Sequence, residues 1–260
     1  MNKDLLFALI QNPYLISGIY NYCDGWCERC SFTSNCLNYK MMEEGVPDLD
    51  SSTSDASSAM DNLDEMFQLS MELLKQSAKD LGMEIPDQTV NFDTEAEEKK
   101  DNLIFKGQIM QQADKYSDLV DNWFTEYEAL LFVGSISLKE LLDYRDEEEM
   151  SELEKEIFNA YEIIRWYQFI IPSKLFRSLR SKVNTEETGN AFYKHDSIAS
   201  GKVALLSIDE SIDAWTFFMH KFPETEDRML PLLLILSGLR TIVEKVFPES
   251  RDFIRPGFDI

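Results

Sequence analysis

Between residues 109 and 130 apolar side chains recur at alternating spacings of four and three: Ile109, Ala113, Tyr116, Val120, Trp123, Tyr127 and Leu130. That period draws one seam along an α-helix, whereas a strand alternates every two residues. The same spacing returns in Ile198, Leu205, Ile208, Ile212, Trp215, Met219 and Phe222. No long segment shows strand-like alternation. With only 10 Gly and 8 Pro in 260 residues, turn formers are too few for a many-stranded sheet. The expected fold is all-α: an antiparallel helical bundle of four to five long helices.

The spacing predicts helices from about Ser58 to Gly82, from Thr94 to near Gly134, from Ser151 onward, from Asp196 to Phe222, and through residues 224–247. Ser151 and Glu154 form a capping-box pattern, and Pro172 is expected to kink or end the third long helix. Asp196 is expected to cap the fourth. The fifth is apolar on most sides and is expected to be central. Residues 43–57, rich in Ser and acidic residues, read as a linker or loop. The organisation expected is thus a cysteine-bearing unit over 1–42, the linker over 43–57, the helical part over 58–250 and a tail over 251–260.

All four cysteines, Cys23, Cys27, Cys30 and Cys36, lie in "CDGWCERCSFTSNC". Reduced core cysteines would be scattered, and the chain shows no secretion-signal pattern that would favour disulfides. A metal site is the expectation. On a helix from Tyr22, Cys23, Cys27 and Cys30 would share one face, and Cys36 would return through the loop after them. Four thiolates suit tetrahedral Zn²⁺. The near-contiguous spacing also suits a 4Fe-4S cluster. "CDGWCERC" resembles, over eight residues, the C-x3-C-x2-C signature of radical S-adenosylmethionine enzymes. In that family three cysteines leave one iron open; here Cys36 would fill it, and the family's glycine-rich strand motif is missing.

The net charge is −23. It repels phosphate backbones and anionic lipid, so no nucleic acid and no membrane partner is expected, while a protein with a basic surface fits. The longest apolar run, "MLPLLLIL", is too short to span a bilayer, and a cytoplasmic location is expected. A ferritin-type di-iron site fails, because neither His195 nor His220 follows a Glu by three positions. Nucleotide-binding and serine-hydrolase motifs are absent from the sequence. Glu162 and Arg165, with Gln168 one turn on, sit inside a nearly continuous apolar zone of the third helix. They read as an internal ion pair that sets helix register, or as a small polar pocket for a ligand. The function expected is a metal-binding regulatory or protein-interaction module with structural zinc; the alternative is an iron–sulfur protein in electron transfer or redox sensing.

Overall fold

A computed structural model describes Leu9 and residues 12–43, 94–143 and 150–259. The linker and the helix expected over residues 58–82 lie outside the described residues. The chain divides into two compact units: Met1–Tyr20 with Cys27–Thr94, and Asn21–Trp26 with Glu95–Ile260. The described structure is mostly helical, as expected for an all-α protein.

In the first unit the cysteine segment is not a regular helix. Single 3-10 turns, Cys27–Arg29 and Thr33–Asn35, precede a short helix α1, Leu37–Glu43. Asn35 ties the segment back on itself: its carbonyl accepts from the Ile16 amide at 2.9 Å and its Nδ2 donates to the Tyr14 carbonyl at 2.8 Å. Ser, Thr and Asn compete with helical hydrogen bonding through their side chains, and "SFTSN" is made largely of such residues. Gly25, left-handed at φ 77°, interrupts the run between Cys23 and Cys27, so the shared helical face for Cys23, Cys27 and Cys30 is not formed.

The second unit opens with the Asn21–Trp26 segment and continues as α2, Thr94–Phe105, and α3, Gln108–Tyr127. The single helix expected over this stretch is broken at Gly107, where a Cβ would stand 3.0 Å from the Ile104 carbonyl oxygen. α2 buries only Ile104 among its side chains. It is held by charge to the helix over residues 152–188: Arg180 pairs with Glu97 and, at 2.8 Å, with Asp101. The α3 seam is buried from Ile109 to Trp123, but Leu130 lies beyond the helix end and is exposed. A hairpin follows, β1 Phe132–Val133 paired antiparallel with β2 Ile136–Ser137, and Gly134 supplies its positive φ of 61°. Ser137 and Glu140 then make a reciprocal cap for α4, Leu138–Asp143.

The longest helix, α5, runs Glu152–Thr188, and the Ser151–Glu154 capping box is present at its start. The backbone and hydroxyl of Ser151 hold the Glu154 carboxyl below the usual range. Pro172 lies inside α5 and does not end it. A proline has no N–H to give the carbonyl four residues back, here that of Gln168. Ser117 of α3 fills the gap, its hydroxyl donating to the Gln168 carbonyl at 2.7 Å. α5 stops at Gly189, left-handed at φ 66°, and Asn190 at once caps α6, Ala191–Lys221. Asp196 is thus inside α6 and not its cap: the Gly-Asn pair starts the helix earlier.

The last helix, α7, is Glu226–Val246. α5 packs on α6 most extensively, α6 on α7, and α3 on both α5 and α7. α7 buries Met229, Leu232, Leu236, Leu239 and Val243, a three-four stripe, yet Leu234 is 71% exposed. The helix is one-sided, contrary to the central position expected. Aromatic rings fill the α3–α6 interface: Trp123 and Trp215 meet edge-on at 5.2 Å, and the Trp215 indole N–H donates to the buried Tyr116 hydroxyl at 3.1 Å. Burial pushes that phenol up to about 12.

α6 also buries small residues: Ser197, Ser200, Gly201, Ala204, Ser207 and Ser211. They admit close neighbours. Ser178 and Ser197 exchange hydroxyl–carbonyl bonds across α5 and α6 at 2.7 and 2.9 Å. A Cβ on Gly201 would meet Ser250 Oγ at 2.6 Å. The tail is fixed here as well, Ser250 donating to the Ile198 carbonyl at 2.9 Å and Arg251 pairing with Asp209 and Glu244. No described helix is long and apolar enough to cross a membrane.

Candidate functional site

The four cysteines are thiols, each half-buried. Cys27 and Cys30 bound one tight turn, in which the Cys30 amide donates to the Cys27 carbonyl at 3.1 Å. Next, the Phe32 amide donates to Cys30 Sγ at 3.4 Å. An amide directed at sulfur stabilises negative charge there, as second-shell bonds do at metal thiolates. Among the described residues, no group of three or more histidine, cysteine, aspartate or glutamate side chains stands in position to hold a metal ion.

Cys23 belongs to the Asn21–Trp26 segment of the second unit, which lies along α5. Asp24 is its anchor. The Asp24 carbonyl accepts from the Trp166 indole N–H at 3.2 Å, and its carboxylate accepts from the Tyr167 hydroxyl at 2.9 Å and from the Trp26 amide at 3.1 Å. Gly25, at φ 77°, turns the chain so that Trp26 stacks on Trp166, with centroids 5.1 Å apart and planes at 18°. Such a stack contributes about 1 kcal/mol beyond its burial. At the other end Asn21 Oδ1 accepts from Arg177 at 3.3 Å. Arg177 also grips Asp196, which accepts from Ser181 at 2.6 Å. Tyr22 packs against His195 and Phe253, each with centroids 5.9 Å away.

These contacts explain the unusual girth of apolar residues on α5. One stripe, Ile157, Ala160, Ile164, Ile171 and Leu175, is core. Trp166 and Tyr167 instead serve as the bed for the Asn21–Trp26 segment. Lys174, half-buried on α5, is a residue that sequence reasoning missed. Burial holds its ammonium below the usual lysine range; nearby Cys23, Asp24 and Asp196 oppose this, and Arg177 adds to it. Its one sequence signal was weak: a lysine in the otherwise apolar stretch around Pro172.

Arg165 makes its ion pair with Asp121 of α3 and donates to Gln168 Oε1 at 3.0 Å. Gln168 is fully buried, and Arg165 and Asp121 are partly exposed. Burial pushes the Asp121 carboxyl up, but the polar Gln168 side chain nearby and the bonded Arg165 guanidinium outweigh it, so the carboxyl sits below the usual range. Glu162 is half-buried on the same helix. Asp121, a partner of Arg165, is 44 positions away and gave no sequence signal. Of the histidines, His195 meets Tyr22 and Phe253 edge-on, and His220 Nδ1 lies 2.7 Å from the Thr216 carbonyl oxygen.

No protein-family model, curated protein or solved structure matches the chain.

Proposed function

We propose that Cys23, Cys27, Cys30 and Cys36 hold one metal centre, a structural Zn²⁺, in a regulatory or protein-interaction protein of the cytoplasm. The observation that carries this reading is the confinement of every cysteine to 14 consecutive positions of a 260-residue chain. The amide directed at Cys30 Sγ supports it. Binding would deprotonate the thiols and draw them around the ion, so the site is completed by the metal. The rest of the chain is read as an antiparallel helical bundle, supported by the two-residue turn between α5 and α6. Its acidic surface would meet a basic protein partner. For Glu162, Arg165 and Gln168, the bonds from Arg165 favour a role in fixing helix register over a ligand pocket.

The nearly contiguous ligands favour one second reading, a 4Fe-4S cluster for electron transfer or redox sensing. Elemental analysis and absorption of the protein purified without oxygen separate the two. Colourless protein with one zinc per chain supports the first. Brown protein absorbing near 400 nm, with iron and sulfide, supports the second. Protein holding neither metal after incubation with each overturns both.

A further inference from the structure

α7 carries a second seam, opposite the one it buries. At about 100° per residue, Asp227, Pro231, Leu234, Gly238, Thr241 and Lys245 fall within about 40° of one line, at spacings of four and three. Gly238 is half-buried and the other five are exposed. Leu230, beside the seam, is 40% exposed. In a chain of net charge −23, no charged residue lies between Arg228 and Arg240. Four-three spacing along a solvent face is the pattern by which one helix meets another.

The packing of the chain itself does not require Gly238. A glycine inside a helix costs about 1 kcal/mol relative to alanine. Here the nearest atom to a Cβ would be Gln112 Oε1 at 4.0 Å, an ordinary contact, so a methyl would fit. The glycine leaves a notch in the outer face. The charges at the two ends of the seam are also unused. Arg240 and Glu244 pair with Asp209 and Arg251. Among the described residues, Asp227 and Lys245 make no ion pair.

A second copy of α7, laid antiparallel and centred at the level of Leu236, answers both features. In that register Asp227 faces Lys245 of the partner subunit, twice by symmetry, and Leu234 enters the notch at Gly238 of the partner subunit. At physiological salt, charges more than about 8 Å apart are screened, so the end pairs count for more than the net charge of the chains. A basic partner would find no carboxylate along the middle of this face.

We propose that the outer face of α7 is a self-complementary interface through which two copies of the chain pair antiparallel. It is independent of the four-cysteine reading.

The test is sedimentation equilibrium of the full-length reduced protein at physiological salt, with and without a metal chelator. The parent should show a monomer–dimer equilibrium that the chelator leaves in place. Leu234→Glu should weaken it by more than about 30-fold. Asp227→Lys and Lys245→Asp should each weaken it about tenfold, and the two together should restore it to within about threefold of the parent, since the pairs re-form with reversed sign. A parent that stays monomeric at a few hundred micromolar overturns the proposal. So does a dimer that ignores Leu234→Glu, one that the chelator dissolves, or a double charge variant no tighter than the single ones. Melting at a dilution where parent and Leu234→Glu are both monomeric should give equal midpoints. A variant melting well below the parent there would show that the face is covered within its own chain, and would overturn pairing as well.

Discussion

Ser117→Ala should destabilise the protein out of proportion to the one oxygen it removes. Pro172 leaves the Gln168 carbonyl without its helical donor, and the Ser117 hydroxyl, at 2.7 Å, replaces that donor. Gln168 is 0% exposed, so its carbonyl cannot simply turn to bulk water. An orphaned buried acceptor costs about 1–3 kcal/mol. Ser117 itself is half-buried, and some water can follow the missing hydroxyl, which places the expected loss near the lower end, about 1.5 kcal/mol. In a chain of this length that lowers the melting temperature by about 3–6 °C. The decisive measurement is a double-mutant cycle in urea. Pro172→Ala returns an N–H to the Gln168 carbonyl, so in that background Ser117→Ala should cost under about 0.5 kcal/mol. An unchanged penalty in the Pro172→Ala background would show that the serine acts through packing or through its 3.3 Å contact with the Ala113 carbonyl. No penalty in the parent would show that the proline gap needs no filling.

Four further outcomes are expected. Gly201→Ala should lower stability by about 1–2 kcal/mol even after the helix-propensity gain of about 1 kcal/mol, because the new methyl meets Ser250 Oγ at 2.6 Å; chemical denaturation reads this, and a more stable variant would refute it. Trp26→Ala should lose about 2–3 kcal/mol from the stack on Trp166 and its burial, with an intrinsic-fluorescence change at Trp166 as the direct readout. Asp121→Asn should cost under about 1 kcal/mol at pH 7, since an ion pair this exposed is screened. The Asp121 pKa is depressed on folding, so its contribution is present above about pH 4 and is lost as pH falls through the folded value; parent and variant melting temperatures should converge below that pH, and a constant gap would refute the linkage. Cys30→Ser should abolish the gain in melting temperature that added zinc gives the parent, and a variant still stabilised by zinc would remove Cys30 from the ligand set.

The helices were legible because their cores follow one period. Ile109 to Trp123 on α3 and Ser151 with Glu154 at the start of α5 needed only local spacing. Three things were not legible, each because the deciding partner is far away in sequence. Pro172 looks like a helix end until Ser117 arrives from α3. Arg165 reaches Asp121 of α3, a partner that no spacing on its own helix announces. Asp196 looks like a cap until Arg177 and Ser181 claim it. The cysteine cluster was plain in the sequence, but its local shape was not, because the helix that the cysteine spacing suggested over Cys23 to Cys30 is interrupted at Gly25, whose φ of 77° no right-handed helix allows. The small residues of α6 were missed for a simpler cause: a search for large apolar side chains passes over Ser, Gly and Ala.

That overlooked stripe bears on how the protein can change over time. In a leucine core most single-base replacements trim atoms, and the resulting hole is the usual injury. Along Ser200, Gly201, Ala204 and Ser207 there is almost nothing to trim. The available replacements nearly all add bulk, and where Ser250 already stands against Gly201 there is nowhere for it to go. A survey of all substitutions should therefore find tolerance inverted on this face of α6, with larger and more apolar residues the harmful ones, and with the strictest positions among residues that look least important in the sequence.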